Sequence, residues 1–324
     1  MSKDREDSWI FWKQFGEKPI CLAPMVEMND LAFRILVRRH EVKVCWTGMI
    51  NSKQWNMSKK YQQTTFQTNE IDKPLICQIS GSLDSDLLST ARSLSSSCCA
   101  LDINLGCCQK VAKRGNYGYF MVDTENKRQD VIKLVSDISN SITVPLCVKI
   151  RMIENDINLT VNFAKELEKA GAKILTIHAR SAQQDKSGCI NIECVKEIVK
   201  NLSIPVIANG GITSKQEAEQ VLNETGAAGV MIGQALLKNP ALLECDNNDP
   251  EEKKRKNLFD VAREYLSIVK SVGGCGLDIV TRHLFYIFDN IMGTNNELRQ
   301  KLSKTGNMDE IEKFVDFLEK MQND

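Results

Sequence analysis

Four kinds of residue in this 324-residue chain are able to do chemistry together. Cys107 opens a glycine-bearing loop, Asn104-Leu105-Gly106-Cys107-Cys108-Gln109, directly after an apolar run. That is a place for a reactive thiol to face a bound ring. Most cysteines are inert packing residues, and Cys21, Cys45, Cys77 and Cys147, inside or at the edge of apolar runs, are assigned to the core. No acidic residue occurs from Ile103 to Val122, whereas Lys110, Lys113 and Arg114 do. Their positive field would guide the phosphates of a large substrate, or they form a solvated loop. Lys149 ends another apolar run, where a charge needs a partner or a function. The partner is either a barrel carboxylate such as Asp102 or a ring that gathers negative charge on reduction, as a flavin does. His178, one of three histidines, is followed two residues later by Arg180, on the same side of an extended chain. A structural hydrogen bond and an exposed rim position are the alternatives for this pair. Gln78 can address an amide-like ring edge or satisfy backbone.

Glycines complete the set. Asn209-Gly210-Gly211 and Gly233-Gln234 close two successive runs. Gly210 and Gly211 alone read equally well as a tight turn. With Gly233 in register on the next run, they describe a close backbone approach to a phosphorylated ligand.

For these residues to meet, the elements carrying them must converge. Eight short β-branched runs recur: Ile20 to Ala23, Val42 to Thr47, Leu75 to Ile79, Leu101 to Asn104, Val144 to Ile150, Ile174 to His178, Ile204 to Ala208 and Gly229 to Ile232. They are nearly continuous rather than alternating, which suits strands covered on both faces. Ser85 to Ser97, Val161 to Ala170, Ile192 to Leu202 and Lys215 to Thr225 space apolar residues three and four apart, as crossover helices do. Eight βα units predict a closed (β/α)8 TIM barrel with its active site at the carboxyl ends of the strands, where the residues named above lie.

A polar stretch from Asn247 to Lys256 marks a boundary, giving a barrel over 1–246 and a small C-terminal helical domain over 247–324. Leu258, Val261, Ala262, Tyr265 and Val269 form one helical stripe; Ile311, Phe314, Val315, Leu318 and Met321 form another. Gly273, Gly274 and Gly276 read as the turn between helices.

Composition excludes some classes. With 42% hydrophobic and 26% charged residues the chain is an ordinary globular one, and no run of about 18 apolar residues predicts a membrane span. Twelve cysteines without two-residue spacing predict reduced thiols and no metal site. Met1 to Asp7 is polar where a secretory signal would be apolar, so the expected compartment is the cytoplasm, with the nucleus as a second location. Lys+Arg and Asp+Glu are equal at 42 each, so any polyanion must be met by local patches. The segment from Asp249 onward holds 12 basic and 14 acidic residues, a net of −2, with its basic residues expected to be sorted onto one face.

Leu22-Ala23-Pro24-Met25, Gln78 with Gly81, Asp102-Ile103-Asn104-Leu105-Gly106-Cys107, Lys149-Ile150-Arg151, His178-Ala179-Arg180 and Ile204 to Gly210 together resemble the dihydrouridine synthase family across nearly the whole barrel. Trp9 to Trp12, Gln109 to Gly118 and the tail from Val261 to Met321 look most like the eukaryotic branch that modifies D-loop uridines sixteen and seventeen. The resemblance implies FMN as cofactor and NADPH, or NADH, as reductant. Pro24, Met25, Val26, Gln78, Lys149, His178, Asn209, Gly210, Gly211, Gly233 and Gln234 would line the FMN. Hydride would pass to C6 of a flipped uracil, with Cys107 protonating C5. Asn104, Arg180, Lys110, Lys113 and Arg114 would meet the substrate, and the helical domain would hold the tRNA by shape and backbone contacts. The protein would act as a monomer. Cys108 stands where the family has proline, Gln234 where it has arginine, Ala179 where it has glycine, and Tyr119 where a small residue is usual. Two other readings stay open: an FMN barrel of the dihydroorotate dehydrogenase kind acting on a free small molecule, and a weakly active tRNA-binding protein.

Overall fold

A computed structural model describes residues 3–83, 86–184, 188–244 and 250–323. Its strand segments are β1 (Ile20–Leu22), β2 (Val44–Trp46), β3 (Ile50–Asn51), β4 (Leu75–Ser80), β5 (Ala100–Leu105), β6 (Leu146–Arg151), β7 (Ile174–His178), β8 (Val206–Asn209) and β9 (Gly229–Ile232). All pair in parallel, and the ring closes through β1 with β9 (Leu22↔Ile232) and β2 with β4 (Trp46↔Ile76). β2 and β3 share one position, because β3 pairs with β4 farther along, at Ile50↔Ile79. The result is a closed eight-stranded (β/α)8 barrel.

The second stave differs from the single run expected over Val42 to Thr47. It breaks after Trp46 because the chain passes Gly48 close under the β1 loop, where a Cβ would sit 3.1 Å from the Met25 carbonyl oxygen. Asn29 fastens the same loop by donating 2.8 Å bonds to the carbonyls of both Ala23 and Trp46.

The strands are buried on both faces, as their near-continuous apolar runs predict, and their side chains alternate between two buried clusters. Cys21, Trp46, Ile76, Ala100, Cys147, Ile174, Ile207 and Met231 form one buried cluster inside the barrel. Their strand neighbours Leu22, Cys45, Cys77, Leu101, Val148, Leu175 and Ala208 join a second cluster shared with the helices. A side-chain period of two therefore sends Gln78, Asp102, Lys149, Thr176 and Asn209 inward above the apolar plug, with Asn104, Arg151 and His178 above them. The four strand cysteines assigned to the core are fully buried. At the opposite end a helix over Lys3–Lys13 plugs the barrel: Trp12 donates its indole N–H to the Ala228 carbonyl at 2.9 Å, and Trp9 to that of Ser203 at 2.7 Å.

Helices follow the strands and start on side-chain caps. Asp30, Asp86, Asp156, Asn191 and Ser214 accept from N–H groups of the first turn. Beyond residue 250 the described chain is entirely helical, over Glu251–Val272, Leu277–Ile287, Asp289–Met292, Asn296–Ser303 and Met308–Asn323. Gly273 and Gly274, both at positive φ, end the first of these. Both predicted stripes are largely buried, with one correction: Met321 is exposed. The domain boundary expected near Asn247 falls partly on residues outside those described.

This helical segment docks on the barrel's first crossover helix, Leu31–Arg39. Asp30 does two things at that seam. One of its oxygens caps the helix at Phe33 N–H (3.1 Å), and the other bonds His283 Nε2 (2.6 Å), whose ring stacks on Phe33. Among the described residues no helix is long and apolar enough to cross a membrane.

Candidate active site

A cavity of about 530 Å³ opens at the carboxyl end of the barrel. Its wall takes in Pro24, Met25, Val26, Asn104, Cys107, Lys149, His178, Arg180, Asn209, Gly210, Gly211, Gly233 and Gln234. Convergence on one mouth, expected from strand ends alone, is thus what the fold produces. The volume lies in the range typical of cofactor and ligand sites.

Lys149 is half-buried on the cavity wall, and its ammonium donates to Asn209 Oδ1 at 2.9 Å. Asn209 in turn donates to the Met231 carbonyl at 2.8 Å, so one amide ties β6, β8 and β9 together. No direct ion pair joins Lys149 to Asp102, the alternative open at the level of sequence. Burial draws Lys149 down to about 8, opposed by the field of Asp102. Burial likewise pushes Asp102 up to about 7, opposed by its bond from Gln78 and the charge of Lys149.

His178 is pulled down to about 2, by burial first and then by Lys149, Arg151 and Arg180. It is a neutral imidazole at any working pH. Arg180 Nη1 lies 3.4 Å from His178 Nε2, while Arg180 Nε donates to the Gly188 carbonyl at 2.9 Å. Gly210 has φ +114, and a Cβ there would fall 2.6 Å from His178 Cδ2. Only glycine lets the backbone pass so close to the imidazole.

Cys107 is half-buried at the mouth. Asn104 Oδ1 accepts from the backbone N–H groups of Gly106 and Cys107 at 3.1 and 3.0 Å, which shapes the loop. Asn104 Nδ2 donates to Gln78 Oε1 at 2.9 Å. Gln78 departs from expectation: it does not line the cavity but is fully buried one layer below, donating to Asp102 Oδ2 at 2.8 Å. Cys108 also reaches the cavity wall. Lys110, Lys113 and Arg114 are exposed on the short helix Lys110–Arg114 beside the Cys107 loop and do not line the cavity.

The family model for dihydrouridine synthase (Dus) matches residues 21–323, strands, cavity and C-terminal helices together. The chain belongs to the dihydrouridine synthase family. Among its relatives, the mouse tRNA-dihydrouridine(16/17) synthase [NAD(P)(+)]-like protein is 33% identical over 306 residues, covering 93% of this chain and 62% of the mouse protein. The tRNA-dihydrouridine(16/17) synthase of Saccharomyces cerevisiae is 30% identical, covering 90% of this chain and 70% of its own length. A human tRNA-dihydrouridine(20a/20b) synthase-like protein is 38% identical over 221 residues, 68% of this chain and 69% of the human one. The chain therefore spans somewhat under two thirds of the mouse relative.

Within this member of the dihydrouridine synthase family, Met49 and Tyr286 are among the wall residues that the sequence did not single out, and Arg151, named there as a strand-end residue, was given no role. Arg151 is buried and bridges two mouth loops, donating to the carbonyls of Gly106 (3.1 Å) and Ser181 (2.9 Å). The alternation Lys149-Ile150-Arg151 places it on the same face as Lys149 and was the available signal. Met49 follows the break in the second stave. Tyr286 comes from the C-terminal segment, and nothing local in the sequence brings it to the cavity.

Proposed function

We propose that this protein reduces uridine in transfer RNA to 5,6-dihydrouridine, using FMN and a nicotinamide reductant, NADPH or NADH. The observation that carries the reading is the convergence of Cys107, Lys149, His178, Arg180, Gly210 and Gly211 on a single cavity in a dihydrouridine synthase chain. The relatives' names specify tRNA and NAD(P)+, and similarity to the 16/17 enzymes runs through the C-terminal helices, which favours those D-loop positions.

The wall suits a phosphorylated flavin on two grounds. At Gly210 the bare backbone faces the cavity as a cradle, since a Cβ there would collide with His178 and Ile190. Lys149 is a half-buried ammonium on the cavity wall with three donors, of which one is engaged by Asn209. Pro24, Met25, Val26, Lys149, His178, Asn209, Gly210, Gly211, Gly233 and Gln234 would hold the cofactor, with Gln78 bracing them from below. When bound, FMN supplies two-electron transfer, from the nicotinamide to C6 of the uracil.

The protein's own part is charge and proton placement. Lys149 offsets negative charge that builds up beside it, held in position by Asn209. His178 donates or accepts a hydrogen bond as a neutral ring and adds no charge. Cys107 gives its Sγ proton to C5 as hydride arrives at C6, so one hydride and one proton saturate the C5–C6 bond. The thiolate is then reprotonated from solvent. The target base must leave its stack to reach the cavity. Lys110, Lys113, Arg114 and Arg180 at the rim face the approaching RNA.

Residues 247–324 are proposed as the tRNA-holding unit. Although its net charge is −2, Lys301, Lys304 and Lys313 share a groove of about 300 Å³ with Phe314 and Phe317. The Lys301 ammonium sits 3.3 Å above the centre of the Phe317 ring. Arg282, by contrast, is engaged by Glu27 and Asp278, and Arg299 lies over Phe285.

The test is incubation of purified protein with unmodified tRNA, FMN and NADPH or NADH, followed by dihydrouridine mapping. Dihydrouridine in the D-loop is the expected result. Turnover of dihydroorotate or free pyrimidine with untouched tRNA would replace this reading by the small-molecule one. Tight tRNA binding without reduction would replace it by an RNA-binding role.

A further inference from the structure

A carboxylate with no solvent exposure, on no cavity wall and in no ion pair, is costly to keep inside a barrel. Asp102 is such a group. We infer that Asp102 is a positioning residue for Cys107: through Gln78 and then Asn104, it dictates the direction of a hydrogen-bond chain that ends on the Cys107 backbone. The inference rests on the reading of Cys107 as the proton donor.

The chain is made of five hydrogen bonds. Trp46 Nε1 and Gln78 Nε2 both donate to Asp102 Oδ2, at 3.0 and 2.8 Å. Asn104 Nδ2 donates to Gln78 Oε1 at 2.9 Å. The N–H groups of Gly106 and Cys107 donate to Asn104 Oδ1 at 3.1 and 3.0 Å. Trp46 reaches Asp102 from two staves away, and every other bond joins adjacent staves or one strand and its loop, since Gln78 lies in register with Asp102.

The direction matters because an amide has unlike ends: its NH₂ only donates and its oxygen only accepts. Asp102 Oδ2 accepts and so turns the Gln78 NH₂ toward itself. The Gln78 oxygen is left facing Asn104, which must present its own NH₂. The Asn104 oxygen then points at the two loop N–H groups and accepts from both. The reversed chain would set an amide oxygen against the carboxylate and an amide NH₂ against two N–H donors. Gln78 and Asp102 are fully buried, so solvent does not relieve the first clash. A single carboxylate thus removes the twofold ambiguity of two successive amides and fixes where the thiol is presented.

The test uses full-length Gln78→Met, Asp102→Ala, the double variant and Asp102→Asn. Hydrogen exchange of the 104–109 segment and the alkylation rate of Cys107 by iodoacetamide are read on protein without tRNA, so neither readout needs turnover. Both alanine-type losses break the same chain. Each single variant is expected to cut protection of the Gly106 and Cys107 amides by roughly tenfold, the worth of one hydrogen bond, and to change the Cys107 alkylation rate. The double variant should go no further than either single one. Asp102→Asn should restore wild-type values, because Trp46 Nε1 holds an asparagine oxygen where Oδ2 now lies.

Additive effects in the double variant, undisturbed loop amides in either single variant, or an Asp102→Asn protein as impaired as Asp102→Ala would each overturn the relay. If Asp102→Ala does not fold, Gln78→Met decides alone, since it leaves the Trp46–Asp102 bond in place. Wild-type protein that makes no dihydrouridine would sink the proposed function yet leave these loop measurements valid. Undisturbed loop amides alongside an active wild type would sink only the relay.

Discussion

Gly210→Ala separates a cavity that depends on backbone approach from one that merely contains a glycine. The backbone at 210 has φ +114, a conformation that costs a side-chain-bearing residue about 1–3 kcal/mol. The added Cβ would also meet His178 Cδ2 at 2.6 Å, His178 Nε2 at 2.9 Å and Ile190 Cγ2 at 2.9 Å. Overpacking of that kind costs a further ~1–3 kcal/mol. A total of about 2–6 kcal/mol is expected as a lower urea midpoint with unchanged slope. Gly273→Ala serves as the control, since its φ is +67 and its Cβ meets nothing within 4 Å. It should lose only the backbone part, about 1–3 kcal/mol, without the overpacking. The two variants should also differ in flavin: Gly210→Ala displaces the His178 ring and should retain less FMN, while Gly273→Ala should retain all of it. Equal midpoints for the two variants, or full FMN retention in Gly210→Ala, would refute the argument that the 210 backbone is the cofactor cradle.

Cys107→Ala should slow reduction by ~10²- to 10⁴-fold, the usual contribution of a positioned acid, and leave flavin content intact; Cys108→Ala should be far milder, and single-turnover kinetics with pre-reduced enzyme decide between them. Lys149→Met should lower FMN retention or slow its reduction by the nicotinamide, checked by flavin absorbance after gel filtration and by stopped flow; unchanged values would remove Lys149 from the cofactor's surroundings. His178 gives a pH signature. Its folded value, about 2, lies below its ordinary 6.5, so below pH 6.5 the unfolded chain binds the extra proton and stability falls as pH drops toward 2. His178→Gln should flatten the acid limb by up to one proton's slope, ~1.4 kcal/mol per pH unit, in urea titrations from pH 6.5 to 4.5; an unaltered limb would mean that the imidazole is not held neutral.

Much of the barrel was legible because its signal is local. Short β-branched runs separated by periodic helical stretches announce parallel strands, and eight of them close a ring. The wall residues were legible for the same reason, since carboxyl-terminal strand ends in such a ring must face one mouth. Gln78 shows the limit of that rule. It stands near the end of β4, yet strand stagger and the presence of Asp102 draw it one layer down. The second stave was read as one strand because its break depends on Gly48 meeting the Met25 carbonyl, a contact between segments far apart in the chain.

By itself, then, the sequence determined residue chemistry and period: which side chains are polar, and which positions share a face of a strand or helix. From those came the barrel, the glycine cradle and Cys107 at the mouth. Tertiary structure alone decided the partners: Asn209 rather than Asp102 for Lys149, two carbonyls for Arg151, and Tyr286 brought to the cavity by a helix that docks through Asp30 and His283. The physical reason is range. Period and propensity act over a few residues, whereas a hydrogen bond between staves, or an oriented pair of amides, exists only once closure has set the distances and removed the water.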